Sequence, residues 1–208
     1  MSEQDVRARA KALAMASLER GDAVGWFEQL YEAAGGDTDG VPWADLEPLP
    51  WLVERLRSEV PRSAVVVGCG LGDDVSAFAG AGWDVHGFDV SSTAVAWARR
   101  RFPDLSFGVE DLFQVSRAWD VVWECYTVQA LPLSERERSL RAVAGLVAPG
   151  GELWISQRLR PDGVEPSGPP WPVSRAELAV LGACGLERVG EEVWPEGEVT
   201  RFAAVYRR

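Results

Sequence analysis

The alternation of short apolar runs with helical patterns constrains the fold of this chain more than any other feature. Runs rich in β-branched and apolar residues predict strands, and helical patterns lie between most of them along residues 61–158. Strands joined through helices pair in parallel, and a parallel sheet is covered on both faces. The predicted strands are 64–67, 84–90, 105–109, 120–126 and 151–157, and the predicted helices are 73–81, 91–102 and 140–147.

The residues on either side of this region have a different pattern. The predicted elements there are helices over 4–20, 22–34, 51–60 and 174–184 and strands over 186–194 and 200–207. Ser134 with Glu137, and Ser174 with Glu177, have the spacing of a capping box at a helix start. The last two strands are joined by a hairpin-like turn at 195–198. Since a hairpin joins antiparallel strands, one strand near the sheet edge should run against the others.

Together these patterns predict one α/β domain with a Rossmann-like, seven-stranded, mostly parallel sheet. One antiparallel strand lies near its edge, helices cover both faces, and a helical cap precedes the sheet. The cap is expected over residues 1–60, the cofactor-binding core over 61–158, and the substrate-side loop, helix and hairpin over 159–208. A chain of 208 residues is long enough to bury a substantial core without disulfides or metals.

Composition excludes several kinds of function. The formal net charge of −11 opposes binding to nucleic-acid phosphates, which depends on Lys and Arg. No apolar run approaches the ~20 residues of a membrane helix, so we expect a cytoplasmic protein with no membrane partner. The three cysteines and the single histidine have no metal-ligand spacing, and we expect no metal site.

The turn after the first core strand is the strongest functional signal. Gly68, Gly70 and Gly72 follow the apolar run that ends at Val67. Glycines there let the chain turn sharply and let a ligand approach the backbone. Asp89 ends the next predicted strand, about 20 positions after the first glycine, where an acid binds ribose hydroxyls. The turn therefore predicts a ribose-containing cofactor.

The glycine spacing indicates which cofactor this is. A dinucleotide turn reads G-x-G-x-x-G and receives a pyrophosphate at the following helix, whereas here Asp73 stands at the third glycine position. Asp73 and Asp74 would repel a diphosphate. S-adenosylmethionine has no phosphate and carries an ammonium and a sulfonium, which suit an acidic turn. Alternatively, Asp73 only favours the helix dipole, and a nicotinamide cofactor stays the rival hypothesis.

These motifs resemble those of class I S-adenosylmethionine-dependent methyltransferases. The chain is most similar to the thiopurine, tellurite-resistance and halide/thiol methyltransferase group. The resemblance covers about residues 60–158, with one departure at Val67, where the superfamily often has an acid. It implies cofactor contacts from Gly68, Cys69, Gly70, Gly72, Asp73, Asp89, Val90, Glu110, Asp111 and Leu112.

The same resemblance implies residues around the mouth of the active site. Trp26 and Tyr31 match a W…LY element that helps to close over cofactor and substrate, and we expect both to bind substrate. Trp43, which follows Pro42, is expected to contact the cofactor. Trp171 lies in a segment similar to the loop that lines the substrate side after the fifth strand.

Polar residues at the ends of the fourth and fifth strands are candidates for the acceptor site, since ligands collect at the carboxyl ends of parallel strands. Glu124 is a candidate base and cofactor contact, and Tyr126 is a second catalytic candidate. Gln129 and Arg158 are candidate substrate contacts, Arg158 for an anion. For Glu124 the alternative is an acid satisfied by backbone donors.

The function implied is methyl transfer from S-adenosylmethionine to a small molecule, with S-adenosylhomocysteine as product. The acceptor atom is S, O, N, Se, Te or a halide, and transfer is direct and in line. A nicotinamide-dependent oxidoreductase and a non-catalytic S-adenosylmethionine-binding protein are the alternatives. We expect a monomer or weak homodimer.

Overall fold

The computed structural model describes residues 2–197 and 199–208. Its helices are α1 (Glu3–Glu19), α2 (Gly25–Ala34), α3 (Pro50–Ser58), α4 (Asp73–Gly80), α5 (Ser92–Arg101), α6 (Thr127–Ala130), α7 (Arg136–Gly145), α8 (Arg175–Leu178) and α9 (Val180–Ala183). Its strands are β1 (Ser63–Val67), β2 (Asp84–Asp89), β3 (Ser106–Val109), β4 (Trp119–Cys125), β5 (Val147–Leu159), β6 (Glu187–Glu196) and β7 (Val199–Arg207). None of these helices combines the length and the apolar character needed to cross a membrane.

The strands form one sheet in the order β3-β2-β1-β4-β5-β7-β6. The pairs β1/β4, β2/β3 and β4/β5 are parallel, whereas β7 runs antiparallel to both β5 and β6. The predicted fold class, including the reversed strand near the edge, is therefore confirmed. Glu198, in the predicted turn at 195–198, lies outside the described residues, as does Met1.

The chain divides into two compact units, and the predicted division at residues 60 and 158 stays a prediction. The first unit contains the residues up to Val60 together with Gly68–Asp111, and the second contains Pro61–Val67 together with the chain from Leu112. In the first unit, one buried cluster joins α1 to α2 and another joins α2 to α5. In the second unit, the middle residues of β4 and β5 are fully buried and form the core.

Helix starts follow the sequence signals in some places and not in others. Ser91 caps α5 by accepting the Ala94 amide, and Ser174 forms the predicted capping box with Glu177 on α8. At α2 no side chain caps the helix from the N-cap residue Val24, and Asp22 accepts the amides of Val24 and Gly25 instead.

The predicted capping box of Ser134 and Glu137 is wrong. A 3-10 turn over Leu133–Glu135 precedes α7, which begins at Arg136 without a side-chain cap. The turn leaves Ser134 too early to cap the helix. Glu137 pairs instead with Arg141 one turn later in the same helix.

The two Ser-x-x-Glu motifs provide a matched test of these helix starts. Ser174→Ala should lower the free energy of unfolding by about 0.5–2 kcal/mol, since it removes an N-cap. Ser134→Ala is the control and should cost clearly less. Urea unfolding of both variants measures the difference. Equal losses would contradict the assignment.

Candidate functional site

The glycine turn has a backbone that glycine alone adopts without strain. Gly68, Gly70 and Gly72 have φ values of 62°, 49° and 89°, in the left-handed region. A Cβ at Gly72 would lie 2.9 Å from the Phe107 ring. The turn is thus fixed in a shape that has no room for a side chain at Gly72.

Asp89 is held beside this turn by main-chain donors. It accepts the Gly70 amide at 3.0 Å and the Ser91 amide at 2.9 Å, and it is buried, with 8% of its surface exposed. Burial raises the pKa of Asp89, while these amides act in the opposite direction. A carboxylate has about four acceptor sites, so capacity is left beyond these main-chain donors. The cis-diol of a ribose supplies two hydroxyl donors, and the residues present therefore fit an adenosyl cofactor.

Glu28, which the sequence did not single out, connects helix α2 to the residues after Asp89. Its carboxylate accepts hydrogen bonds from Ser91 Oγ (2.6 Å), Ser92 Oγ (2.9 Å), Thr93 Oγ1 (2.7 Å) and the Thr93 amide (3.2 Å). Although burial alone would raise the pKa of Glu28, these bonds hold it below its ordinary value. The carboxylate also lies at the N-terminus of α5, where negative charge is favoured.

Tyr31 lies one turn after Glu28 on the same helix, beside the glycine turn. A Cβ added at Gly70 would lie 3.2 Å from its hydroxyl, and Trp43 Nε1 donates to that hydroxyl at 2.9 Å. Burial, and then the charge of Asp89, raise the pKa of Tyr31. Tyr31 therefore lies against the glycine turn, and its role as a substrate contact stays a prediction. Trp43 is 39% exposed and keeps an open aromatic surface.

Trp26 has a different place from the one predicted. It is 2% exposed and packs with Ala10, Ala14 and Leu30 in the cluster that joins α1 to α2. Its ring is enclosed by these helices, and its role as a substrate contact stays a prediction. It supports Trp43 through an edge-on ring contact at 5.7 Å.

Asp73 has a cationic partner that the sequence did not indicate, and its contact with the cofactor stays a prediction. Arg101 forms a two-point ion pair with its carboxylate, at 2.6 and 2.7 Å, and donates to the Leu71 carbonyl at 2.8 Å. The negative charge that was expected to face the cofactor is therefore neutralised by a side chain of α5. Asp73 and Arg101 fix the turn, and Asp73 no longer serves as an argument against a phosphate.

The residues predicted around adenine differ in their surroundings. Glu110 is bound to His86 Nε2 at 2.7 Å, which gives its carboxylate a protein partner, and its contact with the cofactor stays a prediction. Val90 is 37% exposed and Leu112 is 8% exposed, and Asp111 is exposed. Val90, Asp111 and Leu112 stay predictions.

Cys69 lies within the turn and is buried. Burial, together with the charge of Asp89, raises the pKa of the Cys69 thiol, so the thiol stays protonated. It packs under the turn, as expected for a residue that is not a nucleophile.

In the second unit, Glu124 is fully buried rather than open to a ligand. Its carboxylate accepts the Val128 amide at 2.8 Å, at the start of α6, and Gln157 Nε2. Burial raises the pKa of Glu124 to about 7. Both oxygens of Glu124 hold the fold and neither reaches the surface, and its catalytic and cofactor-binding roles stay predictions.

Two other predicted acceptor-site residues also hold the chain together. Gln129 Oε1 accepts the Arg158 amide at 2.7 Å, and the Gln129 carbonyl accepts the Trp171 amide at 2.7 Å. Gln129 is 3% exposed and Trp171 is 8% exposed. Both residues fix the 168–173 loop to the ends of β4 and β5, and their roles as substrate contacts stay predictions.

Tyr126 and Arg158 are the predicted acceptor-site residues that keep partial exposure. Tyr126 follows β4 and has a φ of 64°, a strained value for an aromatic residue. Such strain collects at functional sites because the surrounding structure holds it in place. Their roles stay predictions.

Comparison with known proteins gives the chain a family context. A family model described as a methyltransferase domain matches residues 65–153. A trans-aconitate 2-methyltransferase of Methylobacterium radiotolerans is 32% identical over 152 residues, which cover 66% of this chain and 56% of that enzyme. The Arabidopsis thaliana protein named "Probable thiol methyltransferase 2" is 31% identical over 176 residues, which cover 79% of this chain and 75% of that protein.

A solved structure shares the fold. The N-methyltransferase NodS of Bradyrhizobium japonicum, in complex with S-adenosylhomocysteine, superposes with a TM-score of 0.67 and 17% identity. The match covers 87% of this chain and 97% of that one. At this identity the likeness concerns the fold alone.

Removing the Glu28 carboxylate tests its role beside Asp89. Glu28→Ala should lower the free energy of unfolding by about 1.5–3 kcal/mol, since charge-assisted hydrogen bonds are lost. It should also weaken S-adenosylhomocysteine binding about tenfold, because the residues after Asp89 lose their support. Titration calorimetry measures the binding. Glu28→Gln keeps an acceptor and should restore part of both losses.

Glu32→Ala is the matched control, because Glu32 is an exposed acid of the same helix. If Glu28→Ala and Glu32→Ala gave the same dissociation constant, Glu28 would have no part in the site.

Glu124→Gln tests the buried acid through pH. The folded pKa of about 7 lies above the ordinary 4.5. The wild type therefore loses stability as pH rises from about 4.5 to about 7, by up to about 3 kcal/mol. Glutamine stays neutral, and its amide can donate to Gln157 Oε1, which has no partner among the described residues. The variant should therefore gain stability relative to the wild type as pH rises from about 4.5 to about 7.

Urea unfolding of both proteins below pH 4.5 and above pH 7 provides the measurement. Glu137→Gln, at a largely exposed acid, is the control and should follow the wild type. A Glu124→Gln variant whose free energy of unfolding follows the wild-type pH profile would show that ionisation of Glu124 does not destabilise the folded protein.

Proposed function

We propose, from the premise that the chain belongs to the S-adenosylmethionine-dependent methyltransferase family, that it transfers a methyl group to a small-molecule acceptor. Family membership rests on the 31% identity to the Arabidopsis thaliana protein over 75% of its length and on the methyltransferase-domain match. The family and the cofactor expected from the sequence are thereby confirmed. The identity of the methyl acceptor is the part that stays a proposal.

The observation that supports the proposal most is the buried carboxylate of Asp89 beside the glycine turn. Asp89 would hold the ribose hydroxyls, since its oxygens keep acceptor capacity beyond the Gly70 and Ser91 amides. The turn from Gly68 to Gly72 would lie against the amino-acid end, and Trp43 would offer its exposed face. S-adenosylmethionine supplies a methyl group that is already activated on a sulfonium.

The protein residues then bind, orient and exclude water. An acceptor atom that attacks in line displaces the thioether, and most of the rate comes from proximity and alignment. A thiolate, carboxylate or halide needs no base. The enclosure of Glu124 fits such an acceptor, because a hydroxyl acceptor would need a base within reach.

The names of the relatives indicate which acceptors to examine first. One relative is named for trans-aconitate and the other for thiols. The chain spans 56% of the first relative's length, so neither relative's substrate can be assigned directly to this chain. A small organic acid or a thiol is the proposed acceptor class. The absence of a nucleic-acid partner, the cytoplasmic location and a monomeric or weakly dimeric state stay proposals.

Product release and cofactor binding test the function together. Purified protein with S-adenosylmethionine should release S-adenosylhomocysteine with at least one member of a panel of thiols, trans-aconitate and other organic acids, halides, tellurite and phenols. Asp89→Ala should weaken S-adenosylhomocysteine binding by about 1.5–3 kcal/mol, or about tenfold to a hundredfold.

Asp104→Ala, at an exposed acid of the same unit, is the matched control and should bind like the wild type. Tight binding with no product over the whole panel would favour a non-catalytic binding protein. Binding of NADH in place of S-adenosylhomocysteine would contradict the proposal outright.

A further inference from the structure

His86 bridges a serine and an acid where β2 pairs with β3. Its Nδ1 lies 2.8 Å from Ser106 Oγ, and its Nε2 lies 2.7 Å from Glu110 Oε1. All three residues belong to the first compact unit, and β3 is the edge strand of the sheet. A serine hydroxyl, an imidazole and a carboxylate linked in this order form the arrangement that activates a serine as a nucleophile.

The strand pairing holds these side chains together. His86 and Ser106 are register partners in the parallel pair, so both project from the same face of the sheet. Glu110 lies an even number of residues after Ser106, and its amide still bonds to β2, so it lies on that face too. Gly87, the next residue of β2, faces α4, because a Cβ there would lie 2.5 Å from the Val75 side chain. The three side chains therefore lie on the face turned away from α4.

The two partners of His86 determine its tautomer. A carboxylate only accepts hydrogen bonds, so Nε2 carries the ring proton and donates it to Glu110. Nδ1 then has a free lone pair and accepts a hydrogen bond from the Ser106 hydroxyl. In this form the imidazole can take the serine proton as a general base, and the carboxylate stabilises the imidazolium that results.

The nucleophile of this cluster is open to solvent, and its base and acid are more enclosed. Ser106 is exposed, whereas the side chains of His86 and Glu110 are 17% and 27% exposed. Partial enclosure reduces the screening of the charges on His86 and Glu110 by water. A small molecule can thus reach Ser106 from solvent while the pair behind it stays ordered.

The main-chain amide after Ser106 is available to an oxyanion. Successive residues of a strand direct their backbone groups to opposite sides, and the Glu110 amide points to β2, so the Phe107 amide points away from β2. The Phe107 carbonyl accepts Arg99 on that outer side, at 2.5 Å. The amide that follows a nucleophilic serine can donate to the oxyanion, and one such donor is worth about 10²–10³ in rate. A single donor suits activated esters rather than amides.

We propose that Ser106, His86 and Glu110 form a second catalytic site, which hydrolyses small activated carboxylic esters. Ser106 Oγ bonds to the acyl carbon, its proton passes to His86 Nδ1, and the alcohol leaves with that proton. Water then attacks the acyl-serine and gives a proton to His86, the carboxylic acid is released, and the proton returns to Ser106. Ester and water are thus converted into acid and alcohol. Glu110 does not touch the ester and acts as a positioning residue.

Ester hydrolysis by the full chain tests the site. The wild type should hydrolyse p-nitrophenyl acetate, and Ser106→Ala and His86→Gln should each lower kcat/KM about a hundredfold or more. Glu110→Gln should lower kcat and leave KM unchanged, because it disturbs the imidazole and not the ester. Ser58→Ala, at an exposed serine of α3, is the matched control and should hydrolyse the ester like the wild type.

Covalent labelling identifies the nucleophile directly. Diisopropyl fluorophosphate should add to Ser106, as located by mass spectrometry of peptides, and should fail to add to it in His86→Gln. Hydrolysis by Ser106→Ala at the wild-type rate, or the absence of label from Ser106 in the wild type, would overturn the proposal. Far-ultraviolet circular dichroism checks the fold of each variant, and Ser106→Ala, at an exposed side chain, keeps the test decisive if His86→Gln does not fold.

The hydrolytic site does not depend on the proposed methyl transfer, and one variant separates the two. Ser106→Ala should bind S-adenosylhomocysteine like the wild type, because Ser106 lies outside the glycine turn and has no contact with Asp89. Hydrolysis that requires Ser106 in a protein without methyl transfer would support this site while the proposed function failed. Weakened S-adenosylhomocysteine binding by Ser106→Ala would assign the cluster to the cofactor site and overturn the proposal.

Discussion

The buried carboxylate of Asp89 is the interaction on which the candidate site depends. It ends β2, accepts the Gly70 amide of the glycine turn and accepts the Ser91 amide at the start of α5. Glu28 in turn binds the hydroxyl groups that follow Asp89. A shift of any of these segments would leave a buried carboxylate without donors, which is costly. The requirement to satisfy one acid thus fixes the turn, a helix start and part of the N-terminal helical cap.

Much of the fold was predictable because it depends on local signals. The β-branched run at 64–67, the glycine turn and the hairpin after residue 186 each specify their structure within a few residues. The position of Asp89 was predictable for the same reason, since a strand end and a loop spacing are both local. The Ser134 motif failed because a preceding 3-10 turn, which no local pattern indicated, set the start of α7.

The rest of the site depends on contacts between distant parts of the chain. Glu28 and Ser91 are 63 positions apart, and Asp73 and Arg101 are 28 apart, so no spacing rule connects them. The acidic turn pointed to S-adenosylmethionine through a charge that Arg101 in fact neutralises. The family comparison supports the cofactor on independent grounds. An acid in an apolar strand suggests chemistry, whereas Glu124 also holds the start of α6 and binds Gln157, two contacts that no local pattern indicated.

A crystal structure of the complex with S-adenosylhomocysteine tests the central claim most directly. We expect both ribose hydroxyls to lie within hydrogen-bond distance of the Asp89 carboxylate, at about 2.5–3.2 Å, with the Gly70 and Ser91 amides still bound to the same acid. A complex in which the ribose lies away from Asp89, or in which Asp89 keeps only its main-chain partners, would contradict the account.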